Sequence, residues 1–308
     1  MLVTLKEILA PARRAHRAIP AFNVDNLEML QGVIDAAHES RYPVIIATSE
    51  SSLEYAGLKN LRALVYLAAE EKVTLALHLD HGKNLDTIKH CIEGGWTSVM
   101  FDGSTLPYKE NVATTKMVVG WAHRKGVSVE AELGALKTDE DLTKKGERDA
   151  LFTDPVQARD FVKQTGIDAL AISIGTSHGP FKFEGATQLD YKRLVAVRKL
   201  VSIPIVLHGA SGVSQKLLNA VHNKCESIHD CNRLKGARGV SDAAIKKAIQ
   251  CGISKINIGT DLRLAFTAGM RKALLERDTV FDERKILEEA RALVKETALQ
   301  KIRLFKNS

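Results

Sequence analysis

Long apolar runs are missing from this 308-residue chain. No stretch approaches the ~18 consecutive apolar residues that a membrane span needs. Cysteine is scarce as well. Cys91, Cys225, Cys231 and Cys251 are unevenly spaced and contain no C-x-x-C, which argues against a disulfide framework. The stretch from His222 through Cys225 and His229 to Cys231 lacks the spacing of a common structural zinc site and reads as a polar loop insertion. Aromatics make up only 5% and the basic residues are scattered, so the Lys/Arg clusters with interleaved aromatics of a nucleic-acid binder are absent. Met1–Arg17 is amphipathic, with Lys6, Arg13, Arg14 and Arg17, and lacks the apolar core and cleavage site of a secretory signal. A cytoplasmic protein is expected, with neither nucleic-acid nor membrane partner. There is no Pro- or Ser-rich linker and no break in composition, so one domain over residues 1–308 is expected.

Hydrophobic residues at 45% and charged residues at 26% describe a globular chain. The formal net charge is +7. A solvated basic surface is the plain reading of it. A modest positive field also raises the encounter rate of a small anionic substrate.

Eight short β-branched or apolar runs recur along the chain: Ile19–Asn23, Val44–Thr48, Thr74–Leu79, Ser98–Phe101, Ser128–Glu132, Ala169–Ile174, Ile203–Leu207 and Lys255–Ile258. Helical patterns lie between them, such as Leu27-Leu30-Val33-Ile34-Ala37 and Leu61-Leu64-Val65-Ala68. Strand alternating with helix eight times, at a mean spacing near ~33 residues, predicts an α/β fold: a (β/α)8 TIM barrel. A doubly wound sheet would want a Gly-rich turn after the first strand, and Phe22-Asn23-Val24-Asp25 is not one. A C-terminal helical extension is expected over about 281–305. Two connections, Leu133 to Pro155 and Gly209 to Gly239, are long enough to suggest lids or insertions. Gln215–His222 could form a short helix inside the second.

In a parallel barrel the active site lies at the C-terminal ends of the strands. Those ends read Asp80-His81-Gly82, Asp102-Gly103-Ser104, Glu130-Ala131-Glu132, Gly175-Thr-Ser-His178-Gly179, His208-Gly209-Ala210-Ser211-Gly212 and Asn257-Ile258-Gly259-Thr260-Asp261. Of ten histidines, His81, His178 and His208 fall here, each followed by glycine. Three neutral imidazoles with an open fourth position make a catalytic zinc geometry. Asp102 and Glu132 either hold a second ion or orient the ligands. Asp80, beside His81, is placed for general acid/base work or for a hydrogen bond to a histidine. Gly209-Ala210-Ser211-Gly212 and Gly259-Thr260 read as backbone nests for a phosphate, with Lys182 adding charge.

These segments, with Val129-Glu-Ala-Glu132-Leu-Gly134 and Lys255-Ile-Asn257, resemble the class II, metal-dependent ketose-bisphosphate aldolases, most of all the fructose-bisphosphate branch. The resemblance spans essentially the whole chain. It implies zinc bound by His81, His178 and His208, and a second or alternative ion at Asp102 and Glu132. It leaves room for a monovalent cation near the phosphate site. It implies Asp80 as catalytic acid/base and Glu140 as a proton-transfer carboxylate. Gly179, Lys182, Gly209, Ala210, Ser211, Asn257, Ile258, Gly259 and Thr260 would surround the dihydroxyacetone-phosphate end. Asn23 and Ser49 would face the substrate, and Arg263 the distal phosphate. A homo-oligomer, dimer or tetramer, is expected, acting on a sugar bisphosphate in glycolysis or gluconeogenesis. One departure is Gly259, where fructose-specific members often carry Asp; it leaves a tagatose 1,6-bisphosphate aldolase open. The rivals are a Schiff-base aldolase using Lys255, a zinc hydrolase on the same fold, and a silent sugar-phosphate binding protein.

Overall fold

The computed structural model describes residues 1–70, 73–134, 152–176, 189–212, 215–222, 239–276 and 279–308. Eight strands form a closed barrel in chain order: β1 (Ile19–Asn23), β2 (Val44–Ser49), β3 (Leu75–Gly82), β4 (Ser98–Phe101), β5 (Ser128–Leu133), β6 (Ala169–Ile172), β7 (Ile205–Leu207) and β8 (Ile253–Ile258). Every pairing is parallel, and β8 closes onto β1 through Ile19↔Lys255 to Phe22↔Ile258. All five residues of β1 and all six of β8 are buried, as expected of strands covered on both faces.

The expected strands are all present; β1 and β4 match at both ends, and the other six have one or both ends shifted. β7 starts two residues late because Pro204 has no N–H to give the ladder; its carbonyl still accepts from Leu170. β6 stops at Ile172, and the Ser173 amide turns to the Thr153 hydroxyl instead. β3 runs three residues further than expected, through Asp80, His81 and Gly82. That difference shapes the site.

Twelve helices are present among the described residues: α1 (Leu5–Arg14), α2 (Leu27–Ser40), α3 (Glu50–Ala56), α4 (Leu58–Ala69), α5 (Leu85–Glu93), α6 (Tyr108–His123), α7 (Pro155–Thr165), α8 (Tyr191–Leu200), α9 (Gln215–His222), α10 (Asp242–Cys251), α11 (Thr260–Glu276) and α12 (Glu283–Lys306). None of them is long and apolar enough to cross a membrane. Local chemistry sets their ends. Asn26 and Asn84 accept from first-turn amides of α2 and α5. α7 opens on Asp154 with Pro155 in its first turn and stops at Gly166, whose φ of 72° suits glycine. A Thr4–Glu7 capping box starts α1. Leu5, Ile8, Leu9 and Ala12 of that helix are buried, and it packs against β1, β3, β5 and β8.

The C-terminal helix α12 is not an appendage. It lies against α2 and α11, with Ala290, Val294, Ala298, Ile302 and Phe305 buried. Close approach is bought with glycine. A Cβ on Gly269 of α11 would sit 2.5 Å from the Ala290 Cα and 2.6 Å from the Glu289 carbonyl oxygen. Replacing a helical glycine by alanine ordinarily stabilises by up to ~1 kcal/mol. Here the obstacle is backbone, so overpacking of about 1–3 kcal/mol outweighs the propensity gain. Gly269→Ala is therefore expected to lower the urea midpoint; an unchanged or raised midpoint would contradict this packing.

Candidate active site

The C-terminal end of β3 carries two adjacent functional side chains. Consecutive residues of a regular strand point to opposite faces. Here the pairing with β4 passes from Leu79↔Val99 to Gly82↔Phe101, so three steps on β3 match two on β4. This bulge re-aims the chain at Asp80 and His81. His81 has φ of 50°, in the left-handed region that non-glycine residues seldom occupy. Gly82 completes the turn, since a Cβ there would lie 2.6 Å from the Met100 carbonyl oxygen.

Asp80 is buried, and both its oxygens are occupied. Oδ2 accepts from Asn23 Nδ2 at 2.8 Å, and Oδ1 accepts from Asn257 Nδ2 at 2.7 Å. Asn23 ends β1, and Asn257 is the penultimate residue of β8, so two neighbouring strands fix one carboxylate. Burial alone would raise its pKa, but the adjacent His81 ring and the Lys255 ammonium outweigh burial and hold it well below the ordinary range. Asp80 is ionised at neutral pH.

His81 donates from Nδ1 to Asp102 Oδ2 at 2.9 Å, and Glu132 Oε2 lies 3.8 Å from the same nitrogen. The other oxygen of Asp102 takes the Ser104 hydroxyl and amide at 2.6 and 3.2 Å. His208, directly after β7, is buried between two carboxylates. Its Nδ1 meets Glu132 Oε2 at 3.1 Å, and its Nε2 meets Glu130 Oε1 at 2.9 Å. Burial pushes the ring's pKa down, yet Glu132 and Glu130 more than compensate and hold it up to about 10. The His81 and His208 ring centroids are 4.5 Å apart.

One layer deeper lies a second set of charges. Lys255 Nζ, fully buried, reaches both oxygens of Glu130 at 2.7 and 3.0 Å and donates to His78 Nε2 at 3.3 Å. Burial first and the Lys255 charge second push the His78 pKa down to about 3, so its ring is neutral and its Nδ1 faces Ser98 Oγ at 2.8 Å. The residue pattern singled out Glu132 but assigned nothing to Glu130, and read Lys255 only as a rival nucleophile. Two signals were available. Glu130 and Glu132 alternate, so they share a strand face. Lys255 is a charge inside an apolar strand, and such a charge must be paired.

The remaining predicted positions divide. Ile258 is buried as the last residue of β8, and Gly259 lies against Asn23, whose Oδ1 would be 3.2 Å from a Cβ at 259. Gly209 takes φ of 63°, and Ala210 and Ser211 are buried beside it. Thr260 begins α11. The Ser49 hydroxyl caps α3, accepting from the Ser52 amide at 3.2 Å. Arg263 is largely exposed, with Nε 3.5 Å from Asp25 Oδ2, and no described contact brings it to Asp80. Glu140, His178, Gly179 and Lys182 lie outside the described residues, as do Cys225, Cys231 and most of the two long connections.

The donor set suits a divalent ion. Ligand atoms of Asp80, His81 and His208 all lie within 4.8 Å of one another, and so do those of His81, Asp102 and Glu132. Donors of a tetrahedral ion with bonds of ~2.1 Å sit about 3.4 Å apart, so small rotations would close either set. Two adjacent imidazoles ringed by Asp80, Asp102, Glu130 and Glu132 form a site with more negative than positive charge to satisfy.

A family model described as class-II fructose-bisphosphate aldolase matches residues 3–308. This chain belongs to that family. The class II aldolases are metal-dependent lyases. A fructose-bisphosphate aldolase of Thermus caldophilus is 45% identical over 305 residues, covering 99% of this chain and 98% of its own length. One from Helicobacter pylori strain 26695 is 40% identical over 308 residues, covering 99% and 98%. The crystal structure of the YdjI aldolase from Escherichia coli K12 superposes with a TM-score of 0.80 at 36% identity, covering 99% of this chain and 97% of that one.

In this aldolase chain the Lys255–Glu130 pair is also a stability element. Removing one partner of a buried ion pair leaves an uncompensated charge and costs about 3–5 kcal/mol. Lys255→Met is expected to destabilise the metal-free protein by that much in urea denaturation. Adding Glu130→Gln should recover more than half of it. A loss under about 1 kcal/mol for Lys255→Met would mean that the pair is not buried as described.

Proposed function

We propose that this protein cleaves fructose 1,6-bisphosphate reversibly into dihydroxyacetone phosphate and glyceraldehyde 3-phosphate, with zinc as its metal. The observation that carries the reading is the placement of Asp80, pinned by Asn23 and Asn257, beside two imidazoles whose ligand atoms lie within 4.8 Å of its own. His81 and His208 hold the ion, with His178 as third ligand; Asp102 and Glu132 orient these rings or hold a second ion. When bound, zinc supplies Lewis acidity toward the C2 carbonyl.

Asp80 accepts the C4 hydroxyl proton. The C3–C4 bond breaks, its electron pair passes into an enediolate of the dihydroxyacetone half, and the C4 oxygen becomes the aldehyde. A proton delivered to C3 by Glu140 completes dihydroxyacetone phosphate. In the condensation direction Asp80 returns the proton to the same oxygen. Asn257 Oδ1 and Thr176 Oγ1 are buried and without a hydrogen-bond partner among the described residues, and both suit substrate hydroxyls. Gly209, Ala210, Ser211, Gly259 and Thr260, with Gly179 and Lys182, receive the phosphate next to the ketone; Arg263 meets the distal one. Such an enzyme works in the cytoplasm as a homo-oligomer.

Asp80→Ala should keep its zinc and its fold yet lose ~10²–10⁴-fold in turnover, the scale of a general acid/base. Metal analysis alongside a coupled assay reads both. Near-normal turnover, or loss of zinc together with activity, would remove Asp80 from this role.

A second reading, tagatose 1,6-bisphosphate as substrate, is favoured by one feature. Gly259 offers no side chain to a sugar hydroxyl, and a Cβ there would need only a small shift of Asn23, whose Oδ1 would lie 3.2 Å away. Sites that hydrogen-bond a substrate hydroxyl discriminate strongly, and sites lacking that group discriminate poorly. The kcat/KM values for the two C4 epimers are expected to differ by about 10²-fold or less, ~2.7 kcal/mol. Gly259→Asp should widen the gap toward fructose. A much larger wild-type gap, or an active Gly259→Asp enzyme with an unchanged ratio, would contradict this.

A further inference from the structure

The segment after β7 is held from outside the barrel. Gly212 donates its N–H to Asp261 Oδ2 at 2.8 Å. Asp261, in the first turn of α11, is only 1% exposed. The same oxygen faces Lys301 Nζ at 3.3 Å, and Lys301, on the C-terminal helix α12, is itself 14% exposed. The three groups fit with little slack. A Cβ on Gly212 would lie 2.6 Å from the Lys301 nitrogen. From the other side, Val240 donates to the Ser211 carbonyl at 3.2 Å, and a Cβ on Gly239 would fall 2.2 Å from that oxygen. Asp261 Oδ1 has no hydrogen-bond partner among the described residues, so Gly212 and Lys301 are the groups seen to hold this buried carboxylate.

We propose that Lys301 and Asp261 are positioning residues that strap the Gly209–Gly212 segment in place, making the C-terminal helix part of the apparatus that binds the phosphate next to the ketone. A nest binds an anion only while its successive N–H groups converge. Gly209 turns through the left-handed region and Gly212 has no side chain, so the segment has little stiffness of its own. Asp261 fixes its far end by the Gly212 amide. Lys301 pairs with Asp261 and orients it, since a buried carboxylate without a counter-charge is costly. The ammonium also places positive charge close behind the segment. Without Lys301 the carboxylate would face the anion site uncompensated and repel the phosphate.

This inference rests on the aldolase reading for where the phosphate binds, and its test separates the two. Full-length wild type, Lys301→Met, Lys301→Arg and Asp261→Asn are compared for KM, for kcat and for the competitive inhibition constant of inorganic phosphate. Phosphate binding is also titrated calorimetrically without sugar. Loss of the strap should raise KM and weaken phosphate binding by about tenfold in Lys301→Met, with a smaller fall in kcat, because binding and not chemistry is damaged. Lys301→Arg should restore most of the loss. Asp261→Asn, which keeps an oxygen for the Gly212 amide but discards the charge pair, should weaken phosphate binding to a similar degree and serves if Lys301→Met is insoluble. Unchanged phosphate binding in either soluble variant overturns the strap, and so does a lowered melting temperature with KM unmoved. A wild type that binds phosphate but cleaves neither epimer overturns the aldolase reading and leaves the strap to be judged by the calorimetry.

Discussion

The bulge at the end of β3 is the constraint on which the rest of the site depends. A flat strand would send Asp80 and His81 to opposite sides of the barrel wall. One extra residue against β4, together with the left-handed backbone of His81, gives Asp80 to Asn23 and Asn257 while His81 turns to Asp102. The cost is backbone strain, of order 1–3 kcal/mol for a residue held in a sparsely populated region. The surroundings fix it firmly. Gly82 is pressed against the Met100 carbonyl, and Asp102 donates its own N–H to the Gly82 carbonyl at 2.8 Å. Strain of this kind gathers where a site needs geometry that regular structure does not supply.

Electrostatics then stack in two layers. At the mouth, carboxylates outnumber imidazoles, and each ring is held by at least one of them. Beneath, Lys255 neutralises Glu130, so the deeper carboxylate can accept from His208 without adding an unpaired charge to the core. The mouth is thereby left attractive to a cation, and the interior below it is balanced. Around this, α1 packs against the strands from one side, and α12 ties the outer helices together through positions where only glycine fits.

Much of this was legible in the residues. Eight apolar runs alternating with helical periodicity gave the barrel, because strands buried on both faces are apolar throughout and surface helices are not. His81 and His208 stood out because polar residues at strand ends converge by topology alone. What escaped notice has physical reasons. The bulge has no signature beyond Gly82, because register is a property of two strands. Glu130 was readable from its alternation with Glu132 but is hidden by the stronger family likeness of its neighbour. The meeting of Asp261 with Lys301, forty residues on, is set by how α12 docks, and no local pattern encodes that.

The central claim is that one ion sits between His81 and His208 beside Asp80. Anomalous diffraction from zinc-loaded crystals, collected on both sides of the zinc edge, tests it most directly. The account predicts a peak about 2.0–2.1 Å from a ring nitrogen of each histidine, with Asp80 still held by Asn23 and Asn257. A fully loaded ion coordinated elsewhere, or one that leaves His208 bound only to Glu130 and Glu132, would contradict it.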